Sequence, residues 1–248
     1  MQPHARAGSY PIVRTGLMRG KIAAGAGDED GRGMLNLEII PQWVIPLVRV
    51  KNPEHARIKD GLVRHSYERE KRSAAPIASG IAPKFKSNLY ESTFDLFKAD
   101  VPEVKALAQF CTQAVGGVVT ELRRRLGRPE PATLRIEMAE SWVHITRDGG
   151  YHDQHLHPNC SWCGIYYIDP GDSTLTPPNG GNRFYPPFEP NYHDYGTTAL
   201  MTDPADVVPE EGTLVLFPSY LHHSGIVYRG QRDRIIASFN ARVRQAPA

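Results

Sequence analysis

From residue 131 to the end, the chain is a succession of short strand candidates, alternating apolar runs first among them, separated by Pro, Gly, Asn or Asp. The runs cover residues 133–146, 152–157, 163–168, 213–217 and 235–240. Side chains alternate between the two faces of a strand, so runs of this kind bury one face. Many short strands punctuated by turn residues build a sandwich or a small barrel. The 22 glycines and 21 prolines supply the turns and argue against long helices as the main element. The expected class is mainly β with helices in the N-terminal half.

That half reads differently. Residues 1–33 are rich in Gly, Ala and Arg, show no sustained period, and are expected to form a flexible or loosely docked arm. Leu35, Leu37 and Ile39 alternate as in a strand. Asn52-Pro53-Glu54 marks a helix start, with a polar helix running to about Arg72. Residues 73–92 carry Pro76, Gly80 and Pro83 and are expected as loop. Asp100-Val101-Pro102-Glu103 opens a second helix, in which Val104, Leu107, Ala108, Cys111 and Val115 keep helical spacing. It should stop near Gly127, and its arginines 123–125 suit a helix C-terminus rather than an anion site. The expected organisation is an arm over 1–33, a helix-rich region over 34–130 packing on the core, and a β core over 131–248, together one domain.

Composition narrows the function classes. A net charge of +2 is too weak a balance to favour nucleic acid or an anionic membrane as partner. No apolar run approaches the roughly 20 residues a membrane helix needs, and no secretory leader is visible after Met1. Three cysteines are too few for a disulfide framework, so a reducing, cytoplasmic setting is expected.

The histidines carry the chemistry. Of the ten, six lie between 152 and 223. His155 and His157 are two apart and would share one face of a strand. Far downstream, the apolar run 214–217 leads through Pro218 and Ser219 to His222 and His223. Adjacent strand residues face opposite ways, so one of these two can join the pair on a metal. Three ligands from one side leave open positions, as non-haem iron oxygenases require. Arg234 follows eleven residues after His223 and would share a face with Ile236, Ser238 and Asn240. A buried arginine needs a partner, and its planar fork suits a carboxylate. A dicarboxylate could chelate the metal at one end and meet Arg234 at the other, with Arg229 or Arg232 as substitutes.

These stretches resemble the 2-oxoglutarate and Fe(II)-dependent oxygenase superfamily, and most of all a group with an H-x-H-P-N motif. The resemblance rests on four segments in order: His155-Leu156-His157-Pro158-Asn159, Gly164-Ile165-Tyr166-Tyr167-Ile168, the segment from Phe217 to His223, and Arg234 to Asn240. It covers residues from about Trp142 onward and implies a double-stranded β-helix, or jelly-roll, cupin-like core. It implies His155 and His223 as iron ligands, with His222 as the fallback for the second. His157 stands where most relatives carry Asp or Glu, which would give a three-histidine centre one charge more positive. Arg234 and Tyr167 are implied to hold 2-oxoglutarate. Ile236 stands where many relatives carry Ser or Thr, so one cosubstrate hydrogen bond is either missing or supplied by Ser238 or Tyr167. The implied reaction couples oxidative decarboxylation of 2-oxoglutarate by O2 to oxidation, by default hydroxylation, of a small molecule, amino acid or peptide.

Two rival readings accompany it. One is a three-histidine dioxygenase that uses no 2-oxoglutarate. The other is a non-catalytic zinc module built from His155, His157, Cys160 and Cys163, four candidate ligands within nine residues. A redox role for the C-x-x-C is disfavoured, because no helix start follows it to activate a thiol. His152 and Asp153 are placed to orient a metal ligand. Tyr185, Phe188, Tyr192, His193 and Tyr195 would line an aromatic entrance or a surface loop. Oligomeric state leaves no trace in the sequence.

Overall fold

The computed structural model describes residues 18–23, 34–39, 45–73, 85–128, 133–188, 194, 196 and 203–245. The contacts divide the chain into two compact units, residues 1–45 with 119–131, and residues 46–118 with 132–248.

In the first unit, β1 (Met18–Ala23) and β2 (Met34–Ile39) pair antiparallel, Met18 opposite Ile39 and Ala23 opposite Met34. β2 coincides with the alternating Leu35, Leu37, Ile39. β1 lies inside the stretch expected as an arm, where Gly20 and Lys21 interrupt the apolar pattern that would have announced it.

The second unit holds β3 (Val48–Lys51), α1 (His55–Arg72), β4 (Lys86–Glu91), a short 3-10 turn at Leu96–Lys98 and most of α2 (Pro102–Arg125). Then come β5 (Leu134–His155), β6 (Trp162–Asp169), β7 (Asn182–Phe184), β8 (Ala205–Val207), β9 (Thr213–Pro218), β10 (His223–Gly225) and β11 (Arg234–Gln245). Both helices start where Pro and acid residues announce them. α2 is followed by Gly127 in the left-handed region, φ 58°, which ends a helix at little cost to glycine.

The sheet has nine antiparallel strands in the order β3-β9-β6-β11-β5-β10-β7-β8, with β4 also paired to β5. This order, far from sequential, is that of a jelly-roll-like core. β5 is one strand where the sequence suggested two, because Gly149 and Gly150 carry the chain through a bend instead of ending it. Gly149 has φ 81°, and a Cβ on Gly150 would lie 2.4 Å from Thr146 and 2.6 Å from the Asn88 carbonyl. The N-terminal part of β5 pairs with β11, and the part beyond the bend pairs with β10. β4 pairs across the bend, so residues 86–91 are strand rather than loop.

The alternation of β6 separates two environments. Tyr166 faces the helices, where its hydroxyl meets His55 Nδ1 at 2.7 Å and Asn52 Nδ2 at 3.1 Å, and its ring meets Phe110. Val104, Leu107, Cys111 and Val115 of α2 and Ile58 and Leu62 of α1 are buried. At about 25 cal/mol per Å² this apolar burial fixes the helices on that side of the sheet. Cys163, Ile165 and Tyr167 point the other way, toward a cavity that Arg234, Ile236 and Ser238 of β11 also line or approach. Among the described residues no helix is long and apolar enough to cross a membrane.

Candidate metal centre and cosubstrate cavity

Three histidines converge at one end of this cavity. His155 is the last residue of β5 and His223 the first of β10, and the sheet register sets them directly opposite each other. His157 lies two residues beyond the strand, in a turn fixed by its backbone N–H to Ser219 O at 3.3 Å. It therefore reaches the site from a turn, not from the strand face first expected. One potential ligand atom from each ring lies within 4.8 Å of the others. Ring centroids are 5.0 Å apart for His155 and His157, 4.3 Å for His155 and His223, and 5.3 Å for His157 and His223.

Hydrogen bonding settles which nitrogen is free. His155 Nδ1 lies 2.7 Å from Asp153 O, and His223 Nδ1 lies 3.1 Å from Leu221 O. A carbonyl only accepts, so each Nδ1 carries the proton and each Nε2 keeps its lone pair, the tautomer a metal needs. Asp153 thus holds the His155 ring through its main chain and not its carboxylate. Burial pushes all three rings below their ordinary pKa, His157 to about 4 and His223 to about 2, with neighbouring imidazoles adding to the shift. The rings are neutral at pH 7 and free to coordinate. Phe184 and Phe217 flank His223 and keep that side apolar. His222 is exposed and turned away, so the alternative to His223 is set aside.

At the cavity's other end sits Arg234, 5% exposed. Its Nη2 donates to Asn182 Oδ1 at 2.9 Å, and its Nε has no hydrogen-bond partner. Among the described residues no carboxylate pairs with it. Tyr167 donates its hydroxyl to the same Asn182 oxygen at 3.0 Å, and its ring centroid lies 5.8 Å from the guanidinium carbon. Ser238 is buried on the same wall. Arg229 and Arg232 are exposed and pair with Asp148 and Asp169, which removes them as substitutes.

The four-ligand zinc reading is corrected by the geometry. Cys160 and Cys163 face each other, sulfurs 3.7 Å apart, and neither belongs to the histidine cluster. Cys163 shares the cavity wall, but neither sulfur joins the imidazole nitrogens in one cluster, so the compact sequence spacing does not become a compact ligand set. His152 is no ligand either; its ring stacks on His155, centroids 3.9 Å apart. Of the entrance aromatics, Tyr185 holds Ser224 through its hydroxyl and Phe188 is exposed, while Tyr192, His193 and Tyr195 lie outside the described residues.

Four residues escaped the sequence, Asn182 and His144 in the cavity wall and Glu91 and Lys86 behind His144. Asn182, which joins Arg234 to Tyr167, follows Gly180-Gly181 in a stretch without periodicity. Glu91 is buried with Oε2 2.7 Å from His144 Nε2 and Oε1 2.6 Å from Lys86 Nζ. Burial pushes the Glu91 pKa up, but His144 and Lys86 outweigh it and hold the carboxyl at about 2. The His144 ring is neutral because burial lowers its pKa. With Glu91 ionised, the His144 Nε2 proton points at the carboxylate, so Trp142 Nε1, 3.0 Å from the same nitrogen, is a close contact and not a second hydrogen bond. His144 was legible in principle as the polar residue on the Trp142–Thr146 face of an apolar strand. Glu91 and Lys86 sat in a segment read as loop.

Residues 140–240 match the family described as "Putative 2OG-Fe(II) oxygenase". This segment is a 2OG-Fe(II) oxygenase domain. Its family's cofactors are Fe(II) and 2-oxoglutarate, with O2 as the oxidant. The fold is shared with a prolyl-4-hydroxylase from Pseudomonas putida at 13% identity, TM-score 0.50, covering 79% of this chain and 92% of that one. It is shared also with a prolyl hydroxylase from Trichoplax adhaerens, solved with a hypoxia inducible factor peptide, at 13% identity, TM-score 0.50 and 78% and 83% coverage. The epimerase SnoN from nogalamycin biosynthesis aligns at 12% identity, TM-score 0.52 and 81% and 79% coverage. No curated protein matches the chain in sequence.

Proposed function

We propose that this oxygenase domain holds Fe(II) through Nε2 of His155 and His223 together with the His157 ring, and takes the distal carboxylate of 2-oxoglutarate on Arg234. The observation that carries the reading is Arg234 itself. A guanidinium taken out of water without an acid partner is costly, and its Nε is left without an acceptor inside the cavity. A carboxylate supplies what is missing, in the fork geometry that arginine favours. Three neutral imidazoles with a common focus suit a divalent cation at the opposite end.

When bound, iron and 2-oxoglutarate supply the activation of O2, with succinate and carbon dioxide as co-products. The chain's own residues position and shield. Asp153 O and Leu221 O fix two ligand tautomers, and Asn182 aligns Arg234 and Tyr167. Ser238 stands on the cosubstrate wall, where Ile236 offers no hydrogen bond. Phe184 and Phe217 exclude water from the metal end. The substrate in this reading is a small molecule, an amino acid or a peptide, and the outcome is hydroxylation. The three cysteines are unpaired, which suits the reducing, cytoplasmic setting included in it. The rival that uses no 2-oxoglutarate leaves Arg234 unexplained.

The test is succinate release from 2-oxoglutarate with Fe(II) and ascorbate, wild type against Arg234→Ala. Release by the wild type and its loss in the variant are expected. Equal release from both removes Arg234 from the site, and wild-type metal content that is zinc with thiolate ligation removes the oxygenase reading.

A further inference from the structure

The C-x-x-C, disfavoured as a redox motif on sequence grounds, is brought together by the fold. Cys160 sits in the turn after His157, and Cys163 one residue inside β6. Their sulfurs are 3.7 Å apart. The two thiols occupy unlike positions. Cys160 is half-buried and lines an outer pocket of about 250 Å³ with Glu140, Asn240 and Arg242. Cys163 is 2% exposed and lines the histidine cavity. The pair thus stands in the wall between an outer pocket and the metal centre.

Each thiol hydrogen has its own oxygen acceptor. Cys160 donates to His157 O at 3.6 Å and Cys163 to Asn240 Oδ1 at 3.4 Å. Neither hydrogen needs to lie between the sulfurs, so nothing blocks their approach. A disulfide requires the gap to close to about 2.05 Å, within reach of a side-chain rotation in a turn. We propose that Cys160 and Cys163 form a dithiol that hydrogen peroxide oxidises to a disulfide, and that closing it releases the His157 turn.

The chemistry balances with peroxide as oxidant. Peroxide enters by the outer pocket, the Cys160 sulfur attacks one of its oxygens and becomes a sulfenic acid, and the other oxygen leaves as water with the thiol proton. Cys163 sulfur then displaces that hydroxyl, which departs as a second water with the Cys163 proton. Two thiols lose two electrons and two hydrogens, and one peroxide becomes two waters. The structural consequence follows from what Cys160 holds. It donates to the His157 carbonyl, its own carbonyl accepts from Ser219 Oγ at 2.7 Å, and Ser219 O accepts from the His157 N–H. Drawing the sulfur toward Cys163 removes one of the bonds that hold the His157 turn. The bond lost is to the backbone that carries the His157 ring, so metal affinity should fall by about tenfold, the low end of what losing a ligand's own hydrogen-bond partner costs.

The coupling to metal rests on the proposed role of His157; the dithiol does not. The experiment separates them. The full chain, free of metal, is treated with hydrogen peroxide, and intact mass, free-thiol count and peptide mapping are read, with far-UV circular dichroism to confirm the fold. The expected product has lost two hydrogens, retains one of three thiols, carries a Cys160–Cys163 link, and is restored by dithiothreitol. Cys160→Ser and Cys163→Ser each abolish the link, whereas Cys111→Ser keeps it. Peroxide that only adds oxygen to Cys160, or that links separate chains, overturns the dithiol. Fe(II) titration under anaerobic conditions then compares reduced and disulfide forms, with about tenfold weaker binding expected on closure. Equal affinity overturns the coupling while the disulfide stands. A reduced chain that binds no Fe(II) overturns the metal reading and the coupling together, again leaving the dithiol to be judged by mass.

Discussion

Arg234 lines the cavity and Glu91 lies behind its wall, bonded to the lining residue His144; both are buried charges, yet they are provided for in opposite ways. Glu91 is met by Lys86 at 2.6 Å and by His144 at 2.7 Å, one partner on each oxygen. Arg234 has one neutral amide oxygen and a vacant Nε. A buried charge with its partners built in belongs to the fold. A buried charge lacking them stores a cost that a ligand can relieve. The difference sets a scaffold acid against the base proposed to bind cosubstrate, without reference to any relative.

The largest effect is therefore expected at Glu91. Glu91→Gln keeps the shape and removes the charge, leaving Lys86 without its anion in a half-closed site. Breaking a buried pair by removing one partner costs about 3 kcal/mol or more, which chemical denaturation reads directly. Acid tests the same pair. The Glu91 pKa is lowered from 4.5 to about 2 in the folded chain, so its stabilisation is complete above pH 4.5 and is lost as pH falls toward 2. The folded state also lowers the His144 pKa from 6.5, and the unfolded chain takes up that proton first, which lowers stability from pH 6.5 downward. Both slopes have the same sign. In Glu91→Gln the steeper loss below pH 4.5 should disappear, and a variant that retains it places the acid sensitivity elsewhere.

Arg234→Ala should invert that pattern. It removes a charge that has no internal anion, so stability should move by less than about 1 kcal/mol in either direction. Affinity for 2-oxoglutarate, measured with a redox-inert divalent metal, should drop about 10–100-fold, the worth of a charge-assisted pair. A large stability loss with unchanged affinity would make Arg234 a scaffold residue like Lys86.

How much of this contrast a sequence can reveal depends on how the residues repeat. The helices over 55–72 and 102–125 announce themselves through Pro, acid residues and apolar spacing, and five of the strands through alternation. The oxygenase signature is legible because His155, His157, His223 and Arg234 sit in short segments with fixed neighbours. Glu91 is not, because β4 is held in place by pairing with β5 across a bend, a long-range contact with no local signal. Asn182 lies in a three-residue strand too short to show a period. The turn position of His157 is invisible as well, since alternation alone gives it the same face as His155.

Asn182→Asp sharpens the comparison by giving Arg234 what Glu91 already has. A carboxylate at the position of Oδ1, 2.9 Å from the guanidinium, satisfies the charge from within. The variant should be as stable as wild type or more so, and should bind 2-oxoglutarate about tenfold less well, because the incoming carboxylate meets a competing anion. Binding that survives unchanged would place the dicarboxylate away from Arg234.

Tyr167→Phe is the mildest of these changes and asks whether the tyrosine aligns Arg234 or itself holds ligand. Its hydroxyl donates to Asn182 Oδ1, an oxygen that Arg234 also uses. Removing the hydroxyl leaves that oxygen still satisfied by Arg234, so the stability loss should be about 0.5–1.5 kcal/mol, one ordinary hydrogen bond. If the tyrosine only aligns Asn182, affinity for 2-oxoglutarate should fall less than about tenfold, within the worth of that bond. A loss as deep as that of Arg234→Ala means that the hydroxyl turns from Asn182 to the incoming carboxylate, and that Asn182 holds the pair in reserve until cosubstrate arrives. The double variant Tyr167→Phe with Arg234→Ala decides between these: additive losses mark two separate contacts, whereas a loss no larger than that of Arg234→Ala alone marks one shared function.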